Sequence, residues 1–336
     1  MTDKFISLAH GNGGRLMREL IDEVFARHLD NPGLDTRVDA ARIEMPRDDV
    51  DLLVTTDGFT VQPLEYPGGN IGSLAIHGTV NDLAVAGATP AVLTVNAFIE
   101  EGLPIETLER LVATMGATAR EAGVSIAAGD TKVLRRGEGG GVYFATTGFG
   151  TRPARVELGI DRIEPGDVLL VSGPVGDHGI AVMLAREQFG LHGSLASDET
   201  SVLPLTSTLL GLDGLRFMRD PTRGGVATVA CELAHVSGFG LRLKETAIPV
   251  RDEVRSVCAM LGYDPYYLAC EGRVVAVVAP DDAEEALARW RKLPAGAAAQ
   301  IIGAVAGTEP RVVLETLIGG ERYLEELEDD PLPRIC

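Results

Sequence analysis

The sequence predicts an α/β protein of two domains, on three observations. Apolar runs of strand length alternate with helix-period segments along the chain. The 336 residues exceed what one average core serves, and 45% hydrophobic with 24% charged residues is the balance of a folded globular chain. Between Thr151 and Pro165 the periodicity lapses into proline and charge, which marks a boundary. The expected division is a glycine-rich loop and helix over 1–37, a first domain over 38–154, a second over 155–322, and a mobile tail over 323–336.

The elements follow in order. His10-Gly11-Asn12-Gly13-Gly14 reads as a loop, and Leu16, Leu20, Ile21, Val24, Phe25 and His28 recur at helical spacing behind it. Leu52 to Thr56 reads as a strand ending in Asp57-Gly58, with Val38 to Ala41 as a partner edge. Ile71 to Val85 reads as a helix, Ala91 to Ile99 as a strand and Pro104 to Ala122 as an amphipathic helix. Val124 to Ala128 is a short strand running into Gly129-Asp130-Thr131-Lys132, and Gly141 to Gly148 closes the first half. In the second half, strands are expected at 167–172, 240–243, 273–279 and 300–305. Helices are expected up to Phe189, near 200–212, through Ala234, and over 251–261 and 281–291. Pro331 and Pro333 discourage helix and strand at the C-terminus, so the tail should be an extended arm whose last six residues span roughly 20 Å.

Charge narrows the function. A net charge of -19 opposes any sequence-independent grip on nucleic acid or an anionic membrane. Residues 1–14 lack the apolar core of a signal peptide, and no apolar run approaches membrane-spanning length. Cys231, Cys258, Cys270 and Cys336 show no CxxC spacing, so free thiols in a reducing cytoplasm are expected.

Asp39, Asp57, Asp82 and Asp130 each fall at or near the end of an expected element. Carboxylates gathered this way suit Mg²⁺, which bridges one or two acids to nucleotide phosphates. Aspartate beside glycine is also plain turn chemistry, and that reading stands beside the first. Lys132, two residues past Asp130, leaves on the same side of an extended segment and can neutralise charge in phosphoryl transfer, or can be a solvated surface lysine. The loop Gly11 to Gly14 and the turn Asp220-Pro-Thr-Arg-Gly-Gly, with Arg223, both place backbone N–H groups at a helix start, where an anion binds. Glu271, just before the apolar strand, suits a general base or an ordinary loop acid. His77 and His178 stand alone. No GxxxxGK[ST], GxSxG or HExxH occurs, so a nucleotide site here follows another plan.

The motifs AHGNGGRLMREL at 9–20, TTDGFTVQPLEYPGGNIG at 55–72, IHGTVNDLAVAGA at 76–88, AAGDTKV at 127–133, SGPVGDHG at 172–179, MRDPTRGGVA at 218–227 and the final PRIC resemble one family. It is the carbamoyl dehydratases of hydrogenase maturation, within the aminoimidazole ribonucleotide synthetase-like superfamily. The resemblance implies an N-terminal domain over 38–154 that binds ATP and pairs with its twin in a homodimer, forming a β-barrel at the interface. It implies Mg²⁺ and phosphate held by Asp39, Asp57, Asp82 and Asp130, with Gly11, Asn12, Gly13 and Gly14 closing over the ATP. Lys132 and Glu271 would face a carbamoyl group carried on Cys336, which ATP-dependent dehydration turns into a thiocyanate. The implied partners are a HypF-like carbamoyltransferase and an iron-carrying scaffold of HypC-like and HypD-like proteins, which receives the cyano group for the [NiFe]-hydrogenase cofactor.

Cys270 stands where the family pattern has asparagine, and a second thiol beside the cargo, open to side chemistry, is the expectation there. Two other readings remain at this point: another ATP-using member of the superfamily acting on a small amide or phosphate acceptor, and a non-catalytic scaffold that docks partners through its tail.

Overall fold

A computed structural model of the chain describes residues 4–7, 10, 15–31, 49–186 and 193–325. It divides into two compact units. The described part of the first lies within residues 4–83 and 88–154, and that of the second comprises 84–87, 155–186 and 193–325. Gly11, Asn12, Gly13, Gly14, Asp39, Cys336 and the expected edge strand at 38–41 lie outside the described residues.

The first unit opens with α1 (Arg15–Leu20), a π-helical stretch Ile21–Ala26 and α2 (Arg27–Leu29), a continuous helical run where one amphipathic helix is expected. Its sheet consists of β1 (Val50–Phe59), β4 (Thr89–Glu100), β5 (Ser125–Leu134) and β6 (Val142–Pro153), in the order β1-β6-β4-β5. A small ribbon, β2 (Glu65–Tyr66) with β3 (Gly69–Asn70), precedes α3 (Ile71–Val85). Asn70 starts that helix: its Oδ1 accepts the N–H groups of Gly72 at 2.8 Å and Ser73 at 3.2 Å, while Ser73 Oγ accepts the Asn70 N–H at 3.0 Å. This reciprocal cap satisfies donors that a helix start leaves without partners.

α4 (Ile105–Glu121) is the crossover that the parallel pair β4 and β5 requires. Leu108, Leu111, Val112, Met115 and Ala119 line its buried side at helical spacing. α3 lies against the sheet, since a side chain at Gly78 would run into the Phe59 ring and one at Gly148 into Thr79 and Leu83. The other face is open: Val54 is 62% and Leu52 is 44% exposed.

β1 and β5 both run further than their sequence suggests. Asp57-Gly58 and Gly129-Asp130-Thr131-Lys132 read as turn chemistry, yet β1 pairs with β6 through Phe59, and β5 with β4 through Leu134. Ladder hydrogen bonds override local turn preference here. Gly129 fits the ladder for a steric reason, since a Cβ there would sit 2.7 Å from the Val95 carbonyl oxygen.

The second unit is a seven-stranded sheet: β7 (Val168–Val171), β8 (Leu215–Arg219), β9 (Leu241–Lys244), β10 (Val275–Val278), β11 (Gln300–Val305), β12 (Val312–Glu315) and β13 (Glu321–Leu324). The spatial order is β13-β12-β9-β11-β7-β10-β8, and only β9 with β12 runs parallel. Alternate residues feed two cores. Leu169, Val171, Val275 and Val277 point into one with α7 (Gly225–Ser237); Leu170, Val274, Ala276 and Val278 point into the other with α6 (Leu203–Leu209) and α9 (Ala283–Arg291). Trp290 of α9, fully buried, donates from Nε1 to the Leu205 carbonyl at 3.0 Å. α5 (Asp177–Ala185) and α8 (Asp252–Leu261) complete the unit. Strands β8, β12 and β13 have no counterpart in the sequence expectation.

Candidate functional site

In the first unit the sheet register decides which acids can meet. Asp57 of β1 lies opposite Thr146, which lies opposite Val95, which lies opposite Gly129; all four side-chain positions therefore share the face that α3 covers. Thr55, two residues before Asp57, donates from Oγ1 to Asp82 Oδ2 of α3 at 2.9 Å, which brings Asp82 beside the same end of β1. Asp57 is exposed, and its Oδ1 accepts the Gly58 N–H at 2.7 Å. Asp57 and Asp82 thus form one pair.

Asp130 and Lys132 belong to the opposite face. Asp130 pairs across with Asn96, and Asn96 with Ala145; Lys132 pairs with Phe98, and Phe98 with Tyr143. Between these rows Thr131, Ala97, Phe144 and Phe59 are all buried on the helix side, which fixes the parity. Both Asp130 and Lys132 are exposed and stand together as the period of two requires, and Asp130 Oδ1 accepts the Thr131 N–H at 2.8 Å. Among the described residues β1 and β5 are also the two edges of the sheet. Within one protomer the sheet therefore does not bring the Asp57 and Asp82 pair together with Asp130 and Lys132. Among the described residues no three acids, histidines or cysteines gather around a cation position. A pair such as Asp57 and Asp82 still suits Mg²⁺, which needs only one or two carboxylates when phosphates and water complete its octahedron.

In the second unit Arg223 is exposed on the tight turn before α7. Gly224 and Gly225 take φ of 75° and 60° there, and a Cβ at Gly225 would lie 2.5 Å from the Tyr266 carbonyl oxygen, so the turn needs glycine. The Pro221 carbonyl of this turn accepts the Cys270 N–H at 3.1 Å, which ties the turn to the segment carrying Glu271.

Glu271 is buried and clamped through its backbone. Its N–H donates to Asp198 Oδ1 at 3.2 Å, and its carbonyl accepts the Thr200 N–H at 3.5 Å. A Cβ at Gly272 would lie 1.9 Å from the Asp198 carbonyl oxygen, so the residue after Glu271 has no room for a side chain. Arg273 completes the clamp: Nε donates to the Pro174 carbonyl at 2.9 Å and lies 3.3 Å from Asp198 Oδ2, and Nη2 is 3.8 Å from Asp177 Oδ2. Arg251 Nε meets the same Asp177 oxygen at 2.7 Å. Burial pushes the Asp198 and Asp177 carboxyls up, against the pull of Arg273 and Arg251 respectively. His178 Nδ1 lies 2.8 Å from Ser197 Oγ, and burial lowers its pKa to about 4.

Cys270 is no second reactive thiol. It is fully buried; its Sγ accepts the Gly176 N–H at 3.2 Å, and its thiol donates to the Leu268 carbonyl at 3.7 Å. Burial raises its pKa well above the usual thiol value, so it holds a proton and holds the Gly173 to Gly179 loop. An asparagine likewise offers both an acceptor and a donor, so the thiol meets with one S–H and one sulfur what an amide there would meet with its N–H and C=O.

Sequence reasoning missed Asp198, Arg251 and the full role of Arg273. Asp198 sits beside Glu199 in an irregular stretch without periodicity, where nothing local distinguishes it from a surface acid. Arg273 was visible as the residue after Glu271-Gly272 at the entrance to an apolar strand.

Comparison with known proteins closes the identification. Residues 37–151 match the AIR synthase related protein N-terminal domain and 164–315 the corresponding C-terminal domain. "Carbamoyl dehydratase HypE" of Azotobacter vinelandii is 45% identical over 333 residues, covering 98% of this chain and 97% of that protein. The crystal structure of hydrogenase maturation protein HypE in complex with ATP superposes with a TM-score of 0.92 at 43% identity, over 98% of this chain and 99% of that one. A chain of the HypE–HypF complex does so with a TM-score of 0.80 at 41% identity, over 92% and 99%. Identity of this depth along both domains leaves one conclusion: the chain belongs to the HypE carbamoyl dehydratase family, on the AIR synthase related fold.

Proposed function

We propose that this chain dehydrates a carbamoyl group held on the Cys336 thiol to a thiocyanate, at the expense of ATP, and so supplies cyanide ligands for the iron of [NiFe]-hydrogenase. The observation that carries the reading is the end-to-end identity with carbamoyl dehydratases, joined to the likeness with an ATP-bound HypE. A thiocarboxamide does not expel hydroxide unaided. Transfer of the γ-phosphoryl group to the amide oxygen, with loss of one N–H proton, gives a phosphorylated imidate and ADP. Glu271 takes the remaining N–H proton, the C–O bond breaks, phosphate leaves, and a C≡N triple bond remains on sulfur. Lys132 neutralises charge on the transferring group. Mg²⁺ supplies charge neutralisation on the phosphates, and Asp57 and Asp82 would hold it, with Asp39 and Asp130 as further acids of the set and Gly11 to Gly14 and Arg223 as anion donors.

The two acid groups on opposite edges and faces of one sheet favour a homodimer. When two such sheets close into a barrel through their open faces, the β1 edge of one copy approaches the β5 edge of its twin, and Asp57 and Asp82 reach the same seam as Asp130 and Lys132 of the partner, on its outer and inner sides respectively. Exposed Leu52 and Val54 would be covered in that step. The proposed partners are a HypF-like carbamoyltransferase, supported by the complex of a relative with HypF, and a HypC-like and HypD-like iron scaffold. Three free cysteines among the described residues, and no described helix long and apolar enough to cross a membrane, support a reducing cytoplasm as the setting.

The deciding experiment is intact-protein mass spectrometry. Carbamoylated protein given Mg-ATP should lose the mass of one water at Cys336. An unchanged mass while ATP is consumed overturns the dehydration.

A further inference from the structure

Eleven residues, 326–336, follow Glu325, an upper reach of roughly 40 Å. Both backbone polar groups of Glu325 close on one side chain: the Tyr267 hydroxyl donates to its carbonyl at 2.8 Å and accepts its N–H at 3.0 Å. The strand leading there is fastened to the same neighbourhood. Arg322 Nη2 meets Asp264 Oδ2 at 2.5 Å, its guanidinium carbon lies over the Tyr266 ring at 5.9 Å from the centroid, and the Cys231 thiol donates to the Leu324 carbonyl at 3.5 Å. Tyr266 donates from its hydroxyl to Glu245 Oε1 at 3.2 Å, and Glu245 Oε2 accepts the Leu317 N–H of the β12–β13 loop at 2.8 Å. Asp264, Tyr266 and Tyr267 lie on the segment that runs through Leu268-Ala269-Cys270 into Glu271. Burial raises the Tyr267 hydroxyl pKa, which keeps its donated proton in place.

We propose that Tyr267 is a positioning residue: its hydroxyl hangs the C-terminal arm from the segment that carries Glu271 and sets the tether over which Cys336 presents its cargo. The inference rests on the reading of Cys336 as carrier and Glu271 as base. A fixed root matters because delivery by a tethered group depends on effective concentration, which falls as about the -3/2 power of tether length. Release of Glu325 and β13 would lengthen the tether from eleven residues to sixteen and lower that concentration about twofold. Because the anchor and the base share one segment, movement of either carries the other with it.

The test uses full-length, carbamoylated Tyr267→Phe, which keeps the ring and removes the hydroxyl. Hydrogen exchange at the Glu325 amide should quicken about tenfold while β7 and β10 keep their protection, as loss of a local hydrogen bond predicts. Single-turnover dehydration should slow, reaching about twofold when Arg322→Ala is added to free β13 as well. In a full-length Cys336→Ala background, an S-carbamoylated hexapeptide of sequence PLPRIC should be dehydrated equally fast with Tyr267 or Phe at 267, because no tether is involved. Unchanged exchange at Glu325, or equal slowing of tethered and untethered substrates, overturns the anchor. Glu271→Gln separates the two readings: it should stop both substrates, and if it stops neither the base assignment falls while the exchange result still judges Tyr267.

Discussion

The acids of the first unit and those of the second show opposite solutions to carrying negative charge. Asp57 and Asp130 are exposed at the edges of an open sheet, each with one oxygen on the next backbone N–H and the rest of the carboxylate free to meet a ligand. Asp177, Asp198 and Glu271 are buried, and the first two are neutralised by Arg251 and Arg273. Water solvates the first set until a cation replaces it. The second set depends on fixed protein partners, so it can hold a base in one place but cannot rearrange around a metal.

Breaking the buried set should have the largest effect. Arg273→Ala leaves the buried Asp198 without its guanidinium and Asp177 with Arg251 alone, and a drop of about 3–5 kcal/mol in unfolding free energy is expected in chemical denaturation. A loss below about 1 kcal/mol would mean that the network is not electrostatically closed. Acid comes next. His178 has its folded pKa lowered to about 4 from 6.5, so the unfolded chain binds the extra proton between those values and stability falls by roughly 3 kcal/mol as pH drops through that window. Asp177 and Asp198 act with the opposite sign: their raised folded pKa values give stability that is present below about 3.8 and lost as pH rises through the folded values. His178→Gln should therefore flatten or reverse the acid slope; an unchanged slope refutes the assignment. The smallest stability effect belongs to the exposed set. Asp57→Asn and Asp130→Asn should each move unfolding by no more than about 0.5 kcal/mol, yet weaken Mg-ATP binding in calorimetry at least tenfold. Loss of stability without loss of binding would sink the ligand role.

Periodicity made the regular elements legible: α3 and β11 occupy the expected spans, and α4 lies one residue inside its expected ends. What escaped was set by non-local pairing. Nothing local to Asp57-Gly58 or Gly129-Asp130 says that a ladder runs through them, and only the register with β6 and β4 shows that the two acids face opposite ways. Grouping the four aspartates as equivalent assumed a common side that one-dimensional spacing does not contain. Cys270 escaped likewise, because burial depends on Gly176 and Asp198, which are distant in sequence. The β12–β13 hairpin was hidden by a loop, Leu317-Ile318-Gly319-Gly320, whose apolar residues mask a turn.

Trp290 gives the contrast between units its own optical signal. It is the chain's single tryptophan, buried in the second unit against Leu205, while the first unit contains none. Emission excited at the red edge of indole absorption therefore reports one unit, with the other dark. Loss of order in the second unit can thus be followed in the unlabelled protein without interference from the first.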